Sequence, residues 1–352
     1  MRVTTKDAVQ ARLSPFIPGD MARCWLDAYG IERVWVYEMP LRVRFRNIDS
    51  RDGLIFLGAG GLAEAAPFWN YDAAACQPWF RGGAETARDG CGEVDSVPLN
   101  MTVPVVSPAQ ALRLLENSQS QTVKVKVADA RSSLSADVQR LRAVRKALGE
   151  SGRIRIDANA AWSLSQARQA LPILAEAAAG LEYAEQPCRD IEDLGRLKGY
   201  LPEVALAADE SIRLSANPQR AIRRAVELGI DAIVIKAMPL GGAARAASIV
   251  AAARGDATVT TVVSSALDSG VGLISGMALA TRLGTKAACG LGTGALMSAG
   301  ILVNEPYIEH GKLFAPKDLQ LNEDLAPVRP ELSQKWRERF EAIAGLACKL
   351  GI

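Results

Sequence analysis

Histidine is almost missing from this chain of 352 residues, in which His310 is the only one. That scarcity argues against a zinc site built from several histidines, a Ser-His-Asp triad and a Cys-His catalytic pair. The six cysteines are scattered and form no C-x-x-C motif, so we predict reduced thiols rather than a disulfide framework. Any metal or acid–base chemistry must therefore rest on carboxylates and lysines.

Net charge is also nearly absent. Lysine plus arginine (41) and aspartate plus glutamate (39) leave +2, which gives no electrostatic reason to expect nucleic acid or an anionic membrane as a partner. The N-terminus lacks the apolar segment of a signal peptide, and the most apolar stretch, residues 258–282, is interrupted by Asp268 and several glycines. We therefore expect a cytoplasmic protein without a membrane partner. The sequence does not predict its oligomeric state.

Eight strand-like runs recur from residue 99 onward, separated by helical stretches, of which the clearest has a candidate N-cap at Ser135. This alternation predicts an α/β fold with a (β/α)8 barrel of the TIM type over residues 99–303, rather than a doubly wound sheet. Residues 1–98 predict an N-terminal extension and a small α+β domain, with a turn at Arg51–Gly53. Residues 304–352 predict loops and a final amphipathic helix.

Charged residues end five consecutive strands of the predicted barrel. From the second strand to the sixth they are Lys126, Asp157, Glu185, Asp209 and Lys236, each about one βα unit after the one before. Because the C-terminal ends of barrel strands converge on one rim, these side chains predict a single active site. A lone strand-end carboxylate is more often a helix cap or a loop anchor, but five charges in consecutive units favour a functional role.

Three carboxylates brought this close would repel one another unless a cation lay between them. Oxygen ligands without histidine or thiolate favour Mg²⁺, or else Mn²⁺, as that cofactor. A lysine on each side suits proton transfer on opposite faces of a metal-bound substrate, whose enolate charge the metal would neutralise. Lys126 is the predicted base. The cation would lower its pKa, and Lys124, on the same face of the strand, would tune or orient it.

Two polar residues beside the rim each have two interpretations. Asn159 either caps the third βα helix or orients the metal shell. Glu210 is either a solvated loop charge or a supporting residue that pairs with Lys236, and we favour the second. The glycines of "CGLGTGA" do not fit a dinucleotide-binding motif, although they could form a backbone anion nest at the eighth strand end.

The order of these charges resembles the enolase superfamily, and in particular its muconate-lactonizing-enzyme subgroup. The matching positions are Lys124, Lys126, Asp157, Glu185, Asp209 and Lys236. The resemblance covers nearly the whole chain beyond about residue 33. It implies a capping domain built from the N-terminal region and completed by the C-terminus, together with Mg²⁺-dependent enolate chemistry.

Four segments, "VYEMPLRVRFRN", "EAAPFWNYD", "VSSALDSGVGL" and "CGLGTGAL", are similar to the o-succinylbenzoate synthases of the actinobacterial type. That family implies a lyase of menaquinone biosynthesis that dehydrates 2-succinyl-6-hydroxy-2,4-cyclohexadiene-1-carboxylate (SHCHC), a small dicarboxylate, to o-succinylbenzoate. Lys126 would remove the proton beside the ring carboxylate and then protonate the departing hydroxyl, while Lys236 would stabilise the enolate as a cation. The predicted binding residues for the succinyl end are Ser264, Ser265, Gly292 and Thr293.

Other interpretations compete with this one. An N-acylamino-acid racemase or dipeptide epimerase would use the same lysine pair as two bases. Epimerases of this group carry Asp-x-Asp at the eighth strand end, however, where this chain reads Gly290–Thr293 without an acid. A non-catalytic barrel that binds a metal or a partner would not need every reacting position to be filled. The serines at the seventh strand end could also merely cap the helix that follows.

Overall fold

The computed structural model describes residues 10–45, 48–116, 120–255 and 257–350. A barrel of parallel strands and outer helices carries a cap that contains an antiparallel sheet. The predicted α/β architecture is thereby confirmed. Within the described residues, no helix combines the length and the apolarity that crossing a bilayer requires.

The cap is built from the N-terminal elements β1 (Arg12–Pro15), α1 (Asp20–Ala28), β2 (Arg33–Phe45), β3 (Ile48–Gly58), β4 (Gly61–Ala65) and α2 (Ala73–Asp89). Its four strands pair antiparallel in chain order. The core between sheet and helices is aromatic, with ring centroids 4.7 to 6.3 Å apart among Trp25, Phe56, Phe80 and Phe340. Because Phe340 comes from the C-terminal helix, the two ends of the chain share one core.

The turn predicted at Arg51–Gly53 is wrong, because these residues lie within β3. Asp52 pairs with Glu38 and Gly53 with Tyr37 in the register of β2 and β3. Gly53 serves close packing rather than a turn, since a Cβ there would lie 2.5 Å from that of Ala66. Tertiary contacts have overridden the turn preference of aspartate and glycine.

The barrel follows strand β5 (Ser96–Pro98). Its parallel strands are β6 (Met101–Val103), β7 (Thr122–Lys126), β8 (Arg153–Asp157), β9 (Tyr183–Glu185), β10 (Leu206–Ala208), β11 (Ala232–Ile235) and β12 (Thr260–Val263). The intervening helices are α3 (Pro108–Glu116), α4 (Leu134–Leu148), α5 (Leu164–Ala177), α6 (Ile191–Tyr200), α7 (Glu210–Arg213), α8 (Pro218–Glu227), α9 (Ala243–Arg254) and α10 (Gly270–Leu283). Strands β6 to β12 follow one another in the sheet, so each neighbours the next one along the chain.

A short segment at Cys289–Gly290 takes the eighth position of the barrel. Cys289 forms a parallel bridge with Leu99, just before β6, and Gly290 forms one with Ser264, just after β12. The Gly290 amide donates to the Val263 carbonyl at 2.7 Å. The ring therefore closes, although the predicted eighth strand is reduced to isolated bridges.

Helix α4 begins two residues earlier than predicted. Ser133, and not Ser135, is its N-cap, and the Ser133 hydroxyl accepts a hydrogen bond from the Ala136 amide at 3.2 Å. Ser133 has the extended backbone that an N-cap requires, while Ser135 lies inside the first turn. Leu141 and Val144 of this helix are buried.

The C-terminal segment contacts both parts of the molecule. It contains β13 (Tyr307–Glu309), β14 (Lys312–Phe314) and α11 (Pro330–Leu350). The strand β14 pairs with β5, whereas α11 returns to the cap, where the Trp336 indole donates to the Asp52 carboxylate at 2.7 Å. The domain limits at residues 98 and 303 stay predictions.

Candidate active site

The five predicted strand-end charges converge on the C-terminal rim of the barrel. Lys126 lies beside Asp157, and Asp157 beside Glu185, in the registers of β7, β8 and β9. Asp209 follows β10, and Lys236 follows β11. The ring has eight positions when the Cys289–Gly290 segment is counted as the last one. Lys126 then belongs to the second position and Lys236 to the sixth. They are therefore on opposite sides, with the three carboxylates on the strands between them.

Each carboxylate of the rim is neutralised by a lysine. Lys126 forms a close ion pair with Asp157, and Lys236 forms one with Asp209. Lys124 lies two residues deeper on β7, where its ammonium is 2.9 Å from Glu185 and 3.5 Å from Asp157. None of these side chains is more than 10% exposed. The charges are thus buried and paired, which is the condition under which burying them is tolerable.

Burial and mutual charge shift the pKa values at this rim. Burial opposes ionisation of Asp157, but the ammonium groups of Lys126 and Lys124 outweigh it and hold the pKa of that carboxyl well below its usual range. Burial, together with the neighbouring Asp157, raises the pKa of Glu185 to about 7. For Lys124, burial lowers the pKa, but Glu185 and Asp157 outweigh it and raise the pKa above the usual lysine value. Lys124 therefore stays a cation, the charge state in which it would act on Lys126.

The three rim carboxylates offer the kind of ligand atom that a hard divalent cation prefers, although their oxygens face lysines. Asp157, Glu185 and Asp209 supply only carboxylate oxygens, the ligands that Mg²⁺ and Mn²⁺ prefer. Among the residues that the structure describes, no three acidic, histidine or cysteine side chains meet as a ready-made metal group. The three ammonium groups supply positive charge at the same oxygens. A divalent cation would compete with them there, so the residues fit such an ion in the chemistry of their donor atoms.

A hydrogen-bonded chain leads away from Lys126 along the rim. The Lys126 ammonium donates to the Asn159 side-chain carbonyl at 2.8 Å, and the Asn159 amide donates to Glu210 at 3.2 Å. The capping alternative for Asn159 is wrong, because Ser163 caps α5. Glu210 is buried rather than solvated. Its predicted pairing with Lys236 stays a prediction.

Arg213 completes this chain, and the sequence interpretation missed it. Its guanidinium donates to Glu210 at 2.6 Å and to the Tyr71 hydroxyl of the cap at 2.7 Å, and it lies 3.3 Å from Asp209. The available signal was its spacing, since Arg213 follows Asp209 by one helical turn.

A narrow recess inside the rim brings three of the four predicted substrate-binding residues toward the lysines. Ser264, Ser265 and Thr293 line it together with Lys124, Lys126, Asp157 and Lys236. The hydroxyls of Ser265 and Thr293 are 2.6 Å apart. Gly292 lies behind this wall, where a Cβ would lie 3.0 Å from the Asn100 carbonyl. The helix-capping alternative for the serines is wrong, because Ser269 caps α10.

A second cavity of about 380 Å³ also has Lys126 in its wall. Asn159, Glu210 and three arginines, Arg44, Arg131 and Arg213, contribute to its walls. Lys126 lines both this cavity and the recess, so the two share this side chain as a wall.

Comparisons with known proteins agree with this fold. Residues 107–319 match the family model described as enolase C-terminal domain-like, and residues 36–87 match the one described as enolase N-terminal domain-like. An o-succinylbenzoate synthase from Thermobifida fusca is 41% identical over 309 residues, which are 87% of this chain and 94% of the relative. The chain belongs to the o-succinylbenzoate synthase family. A synthase from Mycobacterium ulcerans is 36% identical over 89% of this chain and 93% of its own length.

The enolase superfamily also supplies the structural neighbours of this family member. A dipeptide epimerase from Enterococcus faecalis superposes with a TM-score of 0.66 at 20% identity, covering 83% of this chain and 99% of the neighbour. A muconate lactonizing enzyme from Pseudomonas fluorescens, complexed with muconolactone, gives 0.66 at 18% identity over 87% and 98% of the two chains. At these identities the likeness supports the shared fold alone.

Proposed function

We propose that this chain dehydrates SHCHC to o-succinylbenzoate in menaquinone biosynthesis, as a carbon–oxygen lyase. The observation that carries the proposal is the pair Lys126 and Lys236 on opposite sides of one ring, with three buried carboxylates between them. This arrangement suits removal of a proton beside a carboxylate. The synthase relatives, which match over about nine-tenths of the chain, support the choice of substrate.

The three rim carboxylates, Asp157, Glu185 and Asp209, would hold a divalent cation, for which we propose Mg²⁺ with Mn²⁺ as the alternative. When bound, this ion supplies positive charge that stabilises the negative charge developing on the substrate carboxylate. A dipeptide epimerase of the same fold from Cytophaga hutchinsonii was solved with Mg and a dipeptide, which supports this choice of ion.

Lys126 carries the protons in the proposed reaction. Its neutral amine takes the proton from the ring carbon that bears the carboxylate, and the C–H electron pair becomes the enolate. The resulting ammonium then protonates the hydroxyl as its C–O bond breaks, so that water leaves and the ring becomes aromatic. One lysine can serve both steps when the proton and the hydroxyl leave from the same face. Asn159, which accepts from Lys126 at 2.8 Å, would keep that amine directed.

The other two lysines would act through charge. Lys236 faces the substrate from the opposite side and stabilises the enolate as a cation, while Lys124 orients the rim from below. Glu210 would support Asn159, to which it is hydrogen-bonded at 3.2 Å. The succinyl carboxylate would bind in the recess, at hydroxyls and backbone amides. The residues proposed for it are Ser264, Ser265, Gly292 and Thr293.

The experiment that tests this function is incubation of the purified protein with SHCHC, with added Mg²⁺ and with chelator. We expect rapid formation of o-succinylbenzoate that stops when the divalent ion is removed. Failure of the wild-type protein to convert SHCHC in the presence of Mg²⁺ or Mn²⁺ would refute the proposal.

An epimerase or racemase remains the second candidate, because opposed lysines also suit a two-base mechanism. Each lysine would then exchange a proton with one enantiomer. Deuterium uptake from D₂O into both enantiomers of an N-succinyl amino acid separates the two activities. Rapid uptake with negligible conversion of SHCHC would favour the racemase; we expect little uptake and fast dehydration. The absence of an acid between Gly290 and Thr293 supports this expectation, because a substrate ammonium would have no counter-charge there.

A further inference from the structure

A buried carboxylate of the cap, Glu64, reaches into the barrel. It lies on β4, is 1% exposed, and has no place in the proton-transfer steps above. Its Oε1 accepts from the Tyr37 hydroxyl at 2.8 Å. Its Oε2 accepts from the backbone amides of Ser269 and Gly272 at 2.9 and 3.0 Å, and closely from the Ser269 hydroxyl. A cap residue therefore binds the first turn of the barrel helix α10.

The first turn of α10 follows the loop that forms part of the recess. This recess loop, residues 264–269, connects β12 with α10 and contains Ser264 and Ser265. At its start the barrel holds it, since the Ser265 amide donates to the Gly290 carbonyl at 3.1 Å. At its end Glu64 holds it through Ser269. The two anchors of the recess loop thus come from different parts of the molecule.

The middle of the recess loop also depends on the cap. Arg51, on β3, donates to the Leu267 carbonyl at 3.2 Å. Leu267 has φ of 62°, a conformation that a leucine adopts only when its surroundings impose it. Its side chain packs in one core with Tyr37 and Ile55 of the cap sheet. The cap therefore imposes the conformation of the loop as well as its position.

We infer, on the basis of the proposed function, that Glu64 is a positioning residue that sets the geometry of the substrate recess from the cap. It acts through the recess loop and does not touch the substrate. Loss of its hydrogen bonds would let the loop relax away from its position beside Lys236, and the succinyl end would lose binding contacts. The chemistry at Lys126 would change little.

A carboxylate suits this place for two physical reasons. The amides at a helix N-terminus carry partial positive charge, which favours an anion over a neutral group. All three donors on the barrel side bind one oxygen of Glu64, so an amide in its place could still accept from them and would turn its NH2 group toward the Tyr37 hydroxyl. These bonds would nevertheless lose the strength that the negative charge gives them. Gly272 leaves the necessary room, because a Cβ there would lie 2.5 Å from Oε2.

The first test compares Glu64→Gln with a matched control, Asp52→Asn. Asp52 is another buried acid of the cap sheet, but its carboxylate accepts from the indoles of Trp69 and Trp336 and not from the recess loop. We expect E64Q to raise the KM for SHCHC about 10-fold with kcat within about 3-fold, the pattern of lost remote binding. D52N should lower the melting temperature without changing KM.

A second variant covers the case in which E64Q does not fold. Gly272→Ala keeps every charge and replaces a helical glycine by a better helix former, so helix propensity alone favours stability. The added Cβ would nevertheless displace the Glu64 carboxylate, and it would also lie 2.7 Å from the Cβ of Asp268 at the end of the recess loop. We expect G272A to stay folded, to raise KM for SHCHC, and to weaken the binding of o-succinylbenzoate by a similar factor in calorimetric titration with Mg²⁺ present.

The outcomes separate this inference from the proposed function. A wild-type protein that does not convert SHCHC overturns the proposed function, and this inference with it. An active wild type together with an unchanged KM in G272A and in a folded E64Q overturns the positioning role alone. An equal rise of KM in D52N would also overturn it, because any loss of cap stability would then suffice.

Discussion

The barrel rim and the cap sheet both bury charged side chains, yet they assemble them differently. At the rim, Lys126 reaches Asp157 across 31 residues of chain, and Lys236 reaches Asp209 across 27. In the cap, Glu64 meets Ser269 across 205 residues, and Asp52 meets Trp336 across 284. One repeat of the barrel builds each of these two rim contacts, and two repeats build the contact between Lys124 and Glu185. The cap contacts instead join segments that only the complete fold brings together.

The rim and the cap therefore have different tasks, which are to place the reacting groups and to position the cap on the barrel. The rim charges are held by neighbouring strands of one sheet, so the placement of the reacting groups follows from the barrel alone. The cap charges bind the recess loop and the C-terminal helix, so they determine how the cap lies on the barrel. Changes at the rim should therefore reduce the rate of reaction, whereas changes in the cap should reduce substrate affinity or stability.

The largest effect is expected from removal of one rim carboxylate. Asp209→Asn should lower kcat/KM by about 1,000-fold or more while the circular dichroism spectrum stays unchanged, because the developing negative charge loses its counter-charge. Asp157→Asn and Glu185→Gln should behave alike. Glu182→Gln is the matched control, since Glu182 lies at the opposite end of β9 and pairs with Arg155 at 2.6 Å. A wild type that keeps full activity after exhaustive chelation would contradict the assignment.

The next effect in size should distinguish the two lysines. Lys126→Arg should lower kcat by about 100-fold or more, because arginine keeps its proton and cannot act as a base. Lys236→Arg keeps the positive charge and should retain measurable turnover of SHCHC. Steady-state kinetics of both variants provide the measurement. Equal loss in the two variants, together with deuterium exchange into both enantiomers of an N-succinyl amino acid, would indicate a two-base racemase.

The same contrast explains which features the sequence could reveal. Asp157 and Glu185 were predictable because each ends a short strand-like run, and the βα repeat brings such strand ends together at one rim. Asp52 was interpreted as part of a turn because aspartate before glycine favours turns, whereas its pairing with Glu38 and its hydrogen bond from Trp336 are tertiary contacts. Ser133 and Ser135 are two plausible caps two residues apart, and only the backbone conformation distinguishes them. Arg213 carried no signal beyond its spacing from Asp209.

Asp268 lies where the two charge clusters meet, and it should give a pH-dependent effect on stability. Burial and the neighbouring Glu64 raise its pKa to about 7, against 3.8 for an unperturbed aspartate, while Arg51 and Lys236 act in the opposite direction. The folded protein therefore binds this proton more tightly than the unfolded chain does. The contribution of Asp268 to the free energy of unfolding is thus fully present below about pH 4 and falls as the pH rises toward 7.

Asp268→Asn removes this pH dependence and keeps an oxygen that can accept from the Ala266 amide. Relative to wild type, the free energy of unfolding of the variant should rise by about 2–3 kcal/mol between pH 5 and pH 8. Urea denaturation at both pH values measures the difference, with substitution of the exposed Asp324 as the control. A constant difference between the two pH values would mean that Asp268 is ionised in the folded protein throughout this range.

The smallest effect is expected at the start of helix α4, which lies outside the charge clusters of both the barrel rim and the cap. Ser133→Ala should lower the free energy of unfolding by about 1 kcal/mol, because the Ala136 amide loses the side-chain acceptor that caps the helix. Ser135→Ala should leave stability unchanged or raise it by a few tenths of a kcal/mol, since alanine is the better helix former inside the first turn. Both serines are exposed, so loss of packing contributes little to either change. Chemical denaturation of the two variants compares them directly. The reverse order of stabilities would place the helix start at Ser135, as the sequence alone had predicted.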